Sequence, residues 1–518
     1  MPATRTATPR LFAVLLAEVR KIFLCDVTRS NKRSAIRRSC RERTRILLSS
    51  YAGLLLGISL LFAGTAFGAG RNPLPHEMRL LALAAAPGGT RVLVTLQTTI
   101  DTISMKGMPE QQRHSVIADA QVTFAAQLPG PKSRVIRNYR AFPIVLAQVD
   151  QTALAYILQL ESVRGVQEDH ANQLLDNSND VIMNTGDAWN SGFSGGDEVV
   201  AVLDTGVQES HPFLSVAGTN ASRVVAELEG CFSGVGGSAS SVSSLCPGGV
   251  YSETGNPGGH FDGTNCDPSV GGCGHGTHVA GIVAGTGVYV GGNNENGMAT
   301  GANIMPIQVF SCYNPGTGCV IEAFDSDIIA ALDWVHYAAV NATYRIAAAN
   351  LSLGISGSHY TSNCDASASA YKTAIDTLRD MDAIATVIAA GNDGFTDGVD
   401  YPACVSSAIA VSATDNLDNL ASFSNSANFV SLYAPGVEVY SSIPMSAYGY
   451  LSGTSMAAPQ VAGAFAILQS KFDHLATIDQ LLKILQKTGK SISANGYVRA
   501  RIDIGAAADD IFVDGLDD

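Results

Sequence analysis

Charged residues are scarce, at 15% of 518 positions, where an ordinary soluble domain carries about 25%. Basic residues are scarcer still once positions 1–45 are set aside. That stretch holds 12 Lys/Arg and 3 Asp/Glu, and the rest of the chain holds 20 and 43. So acidic a body repels phosphate backbones, which argues against nucleic acid as a partner. No C-x-x-C pair occurs, which argues against a zinc site. No H-E-x-x-H occurs either, so His275 and His278 do not form that metal motif. There is no internal repeat. What is plentiful is apolar residue, 46%, which excludes disorder over the whole length. The 52 glycines point to tight turns and close backbone approaches. At roughly 150 residues per domain, the length suggests two to four units.

From Ile46 to Gly70 no charged residue appears, and Arg41, Arg43 and Arg45 precede the run. A basic flank, an apolar stretch and small residues at its end describe a secretory signal, with cleavage after Ala66 or Gly68. The rival is a retained anchor, since the run is long enough to span a membrane. The Gly, Ala and Thr at its end and the lack of a second span favour the signal, and hence a secreted or extracytoplasmic protein with no membrane attachment afterwards. Beyond the run lie eight cysteines: Cys231, Cys246, Cys266, Cys273, Cys312, Cys319, Cys364 and Cys404. An even count in an exported chain suggests disulfides, though eight cysteines allow 105 pairings. Short loops suggest 231–246, 266–273 and 312–319, leaving 364–404.

Residues 72–170 read as a small α+β unit. Arg91–Gln97 alternates as a strand does. Gln111–Leu128 has helical spacing at Ile117, Ala120, Phe124 and Leu128. Two extended runs follow, 134–140 and 142–149, then a helical stripe through Leu154, Ile157, Leu158 and Leu160 and a last strand at 163–167. The order strand-helix-strand-strand-helix-strand is the ferredoxin-like pattern. From about residue 180 the pattern changes. Val199–Leu203, 303–310, 346–351, 384–390 and 408–413 are continuous apolar runs, as for strands buried on both faces. Helical stretches separate them, one capped by Ser326. Alternating strands and helices predict an α/β fold with a parallel sheet covered on both faces, and sites beyond the carboxyl ends of its strands. Residues 232–272 are a Gly/Ser-rich loop insertion, and 509–518 an acidic tail.

Four segments carry chemistry, each at the end of an apolar run: VAVLDTGV with Asp204, GHGTHVAGIVAG with His275, AAGNDG with Asn392, and SGTSMAAPQVAG with Ser455. A serine hydroxyl is a poor nucleophile at neutral pH and needs a base within reach, which His275 supplies. A carboxylate must hold the tautomer of that imidazole and stabilise its charged form, a task for Asp204. The oxyanion of a tetrahedral intermediate needs aimed donors. The Asn392 amide and the Ser455 backbone N–H, at a helix start, are the candidates.

With D-T-G, H-G-T-H-V-A-G and G-T-S-M-A-A-P intact in the order Asp, His, Ser, the sequence resembles the subtilisin-like serine proteases, over about residues 180–508. The resemblance continues through NLSLG (350–354), APG (434–436) and 501–508. It implies a three-layer α/β fold over 178–508. It also implies that 72–172 is a propeptide, a folding helper and inhibitor removed by self-cleavage. Residues 1–69 are then leader and signal. Ser352, Leu353 and Gly354 are expected to pair with the substrate backbone as an added strand, and the segment around Ala389–Asn392 to wall the pocket for the residue before the cut. The implied activity is that of a secreted serine endopeptidase acting on proteins or peptides, monomeric, with no cofactor in catalysis. Structural calcium is allowed by the resemblance. Asp393, Asp397 and Asp400 offer oxygens, but their spacing fits no calcium loop. Asp400, before Tyr401-Pro402, stands where the family often keeps a small residue at the pocket base. A carboxylate there favours Lys or Arg before the cut, yet no Lys or Arg lies between Arg164 and Arg223, where self-cleavage would fall.

Overall fold

The computed structural model describes residues 74–510, apart from 101, 106, 170, 175–182, 235–241, 262, 264, 268–269, 291–292, 315 and 317. The expected leader, signal and most of the acidic tail lie outside the described residues.

The first part is α1 (Pro75–Ala84), β1 (Thr90–Leu96), α2 (Glu110–Gln127), β2 (Arg134–Asn138), β3 (Ile144–Val149), α3 (Gln151–Ile157) and β4 (Val163–Glu168). Its antiparallel sheet has the order β2-β3-β1-β4. One expectation needs correction here. On α2 the core face is Ile117, Gln121 and Phe124, without Ala120 and Leu128. Gln121 is buried because its amide donates to the carbonyls of Tyr139, Phe142 and Ile144 at 2.7, 3.2 and 3.0 Å. That bonding partner is a loop 18 or more residues away, invisible to periodicity. Helix α1, with Leu80, Leu81 and Ala84 buried, is an element that the sequence reading did not anticipate.

The second part is built on β6 (Glu198–Asp204), every residue of which is buried. Around it lie β7 (Gly230–Phe232), β8 (Asn303–Gln308), β11 (Arg345–Leu351), β13 (Ala385–Ala389), β15 (Ile409–Thr414), β16 (Leu432–Pro435) and β17 (Tyr497–Arg501). These eight are mutually parallel, in the order β17-β16-β15-β13-β11-β6-β8-β7. Short antiparallel strands close both edges, at Lys490–Ala494 and Ser252–Thr254. The alternation along β6 serves two cores. Val199, Ala201 and Leu203 face α5 (Asp325–Asn341) and α6 (Ser369–Met381). Val200 and Val202 face α4 (His275–Ala284) and α7 (Thr454–Phe472). Covering both faces is why the strands read as unbroken apolar runs.

A second, antiparallel sheet crosses the carboxyl end of the first. It contains β14 (Val399–Tyr401), β12 (Leu353–Tyr360), β5 (Ala171–Leu174), β10 (Val320–Phe324) and β9 (Phe310–Tyr313), in that order. Four disulfides join Cys231 to Cys246, Cys266 to Cys273, Cys312 to Cys319 and Cys364 to Cys404. The third closes the β9–β10 hairpin. The fourth ties the segment after β12 to the one after β14.

Ser326 is not the cap of α5, which begins at Asp325. Its N–H instead donates to Asp169, at the end of the first part, at 2.6 Å. Arg91, Arg137 and Tyr139 all converge on the same residue. Arg91 Nη2 donates to Ser326 Oγ at 2.7 Å, while Arg137 Nη1 and the Tyr139 hydroxyl donate to its carbonyl at 2.8 and 2.9 Å. An acidic side chain from elsewhere thus serves the orphan N–H groups of the helix start.

Candidate active site

Asp204 is the last residue of β6 and His275 the first of α4. The imidazole Nδ1 is 2.9 Å from each carboxylate oxygen, and both side chains are buried. The approach depends on the two motifs touching. Thr205 Oγ1 accepts from Gly276 N at 3.0 Å and donates to Cys273 O at 3.3 Å. Asp204 Oδ1 accepts from Thr205 N at 2.8 Å. A Cβ on Gly276 would meet Gly206 O at 2.5 Å, so glycine is required for helix and strand to come this close. His278, one turn further, bonds the carbonyls of Val439 and Gly449 at 3.1 and 3.2 Å. Burial pulls its pKa down to about 3, so it is a neutral packing residue.

Ser455 is the second residue of α7, which packs on α4. Its hydroxyl donates to Ser352 O at 3.1 Å. The turn before it is held by Gly453 N donating to Gly436 O at 2.9 Å, which gives the APG segment a structural reason. Pro459 sits four residues after Ser455 and has no N–H to give the Ser455 carbonyl. That carbonyl accepts from the Ser352 hydroxyl instead, at 2.7 Å, and Asn350 Nδ2 donates to Ser352 Oγ at 2.9 Å. The proline thereby locks the start of α7 to β11 and β12.

Asn392 follows β13. Its Oδ1 accepts from Thr454 N and Thr454 Oγ1, both at 2.9 Å, and this fixes the amide orientation. Its Nδ2 is buried without a partner. A donor held ready beside the serine suits a charge that is absent at rest. Thr205, Thr454 and Asn425 were not singled out in the sequence. The first two lie inside the quoted motifs. Asn425 accepts from Asp393 N and Phe395 N at 3.1 and 2.9 Å, holding the Asn392 loop from outside it.

Ser352 links β11 to β12, and Leu353 and Gly354 begin β12. Strand β5, from the chain's own first part, lies antiparallel to it with Leu353 opposite Leu174 and Gly354 opposite Gln173. On its other side Asn172 and Ala171 face Ala323 and Phe324 of β10. Among the described residues no group of three or more His, Cys, Asp or Glu side chains is arranged to hold a metal. Asp393 and Asp397 are engaged by neighbouring protein groups. Asp393 accepts from Ser356 Oγ and Gly357 N at 2.9 and 3.0 Å, while Asp397 pairs with His359 at 2.7 Å.

Comparison with known proteins agrees with this geometry. The model of the Subtilase family matches residues 195–500. Subtilisin DY of Bacillus licheniformis is 32% identical over 326 residues, 61% of this chain and 93% of that protein. Subtilisin Savinase of Lederbergia lenta is 32% identical over 321 residues, covering 62% and 94%. Subtilisin E of Bacillus subtilis (strain 168) is 29% identical over 382 residues, covering 72% and 83%. The protein belongs to the subtilase family and is a serine endopeptidase of the three-layer α/β fold.

Proposed function

We propose that this chain is an exported, monomeric serine endopeptidase made as a self-processing zymogen. The observation that carries the reading is strand β5, which occupies the slot between β12 and β10 as a bound peptide would. The first part, expected over 72–172 and here running on through β5 to Leu174, is then a propeptide that delivers its own carboxyl end to the cleft. Cleavage falls just beyond Leu174, within 175–178, and the freed strand inhibits until it leaves. Export rests on the sequence signal; among the described residues no helix is long and apolar enough to cross a membrane.

In the proposed reaction the Ser455 hydroxyl turns from Ser352 O to the Nε2 of His275. As Oγ bonds to the scissile carbonyl carbon, its proton passes to Nε2, and the Asp204 carboxylate stabilises the imidazolium. The carbonyl π electrons move to oxygen, where Asn392 Nδ2–H and the Ser455 backbone N–H donate. Collapse expels the amine, which takes the proton from Nε2 and leaves an acyl-enzyme. Water, deprotonated by His275, repeats the cycle and frees Ser455. No cofactor enters. Fluorophosphonate labelling of the processed enzyme, with casein as substrate, tests the reading. Labelling confined to Ser455 and loss of casein cleavage on labelling are expected. An unlabelled Ser455 with no casein cleavage favours a peptide-holding protein without catalysis.

A further inference from the structure

The slot that holds β5 has two walls, and each holds half of the strand. Strand β10 pairs with Ala171 and Asn172, and β12 with Gln173 and Leu174. Strand β10 is one arm of a hairpin. Its other edge pairs with β9, from Ala323 opposite Phe310 to Val320 opposite Tyr313. The hairpin is rooted at its base, where Phe310 and Ala323 are buried and β10 runs straight into α5. Toward its tip it leaves the core: Val320 is 41% exposed, and Asn314, Gly316 and Gly318 are exposed. Gly316 and Gly318 have φ +97° and +119°, so the turn is built from residues that lose the most freedom on ordering. Two devices hold it. Asn314 Oδ1 accepts from Gly316 N and Gly318 N at 2.8 and 3.3 Å. The Cys312–Cys319 disulfide closes the hairpin, with Cys312 opposite Ile321 of β10. The far edge of β9 is tied as well. It pairs with Val242–Ser244, and the Cys231–Cys246 disulfide fastens that segment to β7 of the main sheet. Ser233 Oγ donates to Phe310 O at 2.7 Å and accepts from Leu245 N at 2.9 Å.

A disulfide spanning a separation of 7 residues removes less freedom from the unfolded chain than one spanning 40, as Cys364–Cys404 does. Its effect falls instead on the folded hairpin. Once β5 leaves, β10 is an edge strand that must stay extended to receive another. Resting on the protease reading above, we propose that Cys312–Cys319 is a positioning pair for catalysis: it keeps β10 in place while the slot is empty, so that the part of a substrate lying where Ala171 and Asn172 lie adds to a strand already formed. The pair touches no substrate and acts through β10. Main-chain pairing to an ordered edge gives affinity, and ordering that edge at the moment of binding subtracts from it. The consequence is selective. Substrate residues beside the cut are held by β12 and do not depend on the disulfide. Residues farther upstream do.

The test uses the processed enzyme, with active sites counted by fluorophosphonate, and compares the double variant Cys312→Ser/Cys319→Ser with the wild type. One substrate is a peptide long enough to span both walls. The other is a blocked dipeptide ester with the same residues beside the cut, which meets β12 alone. For the long peptide the variant should raise KM on the order of tenfold with kcat unchanged, and for the ester both constants should stay within about twofold. A disulfide that only stabilised the fold would lower Tm and leave both substrates alone, so wild-type kinetics on both overturn the proposal. So does an equal loss on both, which would place the effect at the serine. If the double variant does not fold, the folded wild type is treated with a dithiol. Each dithiol molecule gives up two electrons and closes to its own disulfide, and the protein disulfide takes them up as two thiols, located by alkylation and mass spectrometry. Cys312 and Cys319 are half-buried, whereas Cys231, Cys246, Cys266, Cys273, Cys364 and Cys404 are buried, so this bond should open first. The same rise in KM for the long peptide alone is expected, and an unmoved KM with Cys312 and Cys319 alkylated overturns the proposal. If neither substrate is cut by the wild type and Ser455 is not labelled, the protease reading itself falls.

Discussion

Two regions of this molecule treat buried polar groups in opposite ways. Where the first part docks on α5, most polar atoms meet partners, although Arg91 Nε and Asp169 Oδ2 make no hydrogen bond. Asp169 and Arg91 form an ion pair and both bond Ser326, Arg137 reaches Asp327, and the N–H groups of Arg140 and Ala141 donate to Asp333 at 2.9 and 2.6 Å. In the cleft, Asn392 Nδ2 and the Asp400 oxygens are buried without partners. The difference separates two purposes. The paired polar contacts ring an apolar one, since Leu93, Phe142, Ile144 and Leu146 of the first part share a buried cluster with Leu332, Val335 and Ala374. The Asn392 donor is costly at rest, and in the reaction proposed above it gains its partner only as the oxyanion forms.

The comparison breaks most sharply at Ser455. Ser455→Ala should lower turnover on the order of 10⁶, the loss established for the serine of subtilisin itself. Next comes Asn392→Leu, expected to cost roughly 10²–10³ in kcat, again a scale defined on subtilisin's own asparagine. If Asn392 is an unpaired donor kept for the reaction, KM should move little. A large rise in KM with unchanged kcat would show that it binds the ground state instead.

On the docking side, Asp333→Ala removes the acceptor of two backbone N–H groups. The part-buried Ala141 N–H is orphaned at a cost of about 1–3 kcal/mol, while the exposed Arg140 N–H turns to water. If the first part is the propeptide proposed above, it should leave at least tenfold sooner once cut, seen as a shorter lag before activity, while kcat/KM of the processed enzyme stays unchanged. An unaltered lag would mean that the polar contacts do not hold the domain. The smallest effect concerns Glu229, buried with partners in Asn256 and Gly259, which burial pushes up to about 7. Its folded pKa is above the ordinary ~4.3, so its stabilising contribution is complete below about pH 4 and is lost as pH rises through 7. Between pH 5 and 8 the wild-type Tm should fall by a few degrees more than that of Glu229→Gln. Parallel curves would contradict the assignment.

What was legible in the sequence was local. Strand β6 announces itself through VVAVL because both of its faces are covered. Asp204, His275, Asn392 and Ser455 stand at ends of runs with glycines beside them. The parallel sheet followed from alternation. What was hidden is made at a distance. Gln121 is buried by carbonyls 18 to 23 residues on, and α5 is served by Asp169, 157 residues before Ser326. Pro459 is plain in the motif, but its reason, the carbonyl that it leaves to Ser352, needs two elements 103 residues apart. Asp400 was visible as an unusual residue before Tyr401-Pro402; its missing partners were not.

The most direct measurement compares the exported wild type with Ser455→Ala, reading mass and amino-terminal residue of each by mass spectrometry. A wild type that begins within 175–178 beside a variant that retains the first part is the result that the proposed self-processing predicts. If both chains are shortened at the same residue, another protease matures the protein. If both keep the first part under conditions where the wild type is folded, Ser455 does not act on β5, and the self-processing account is wrong.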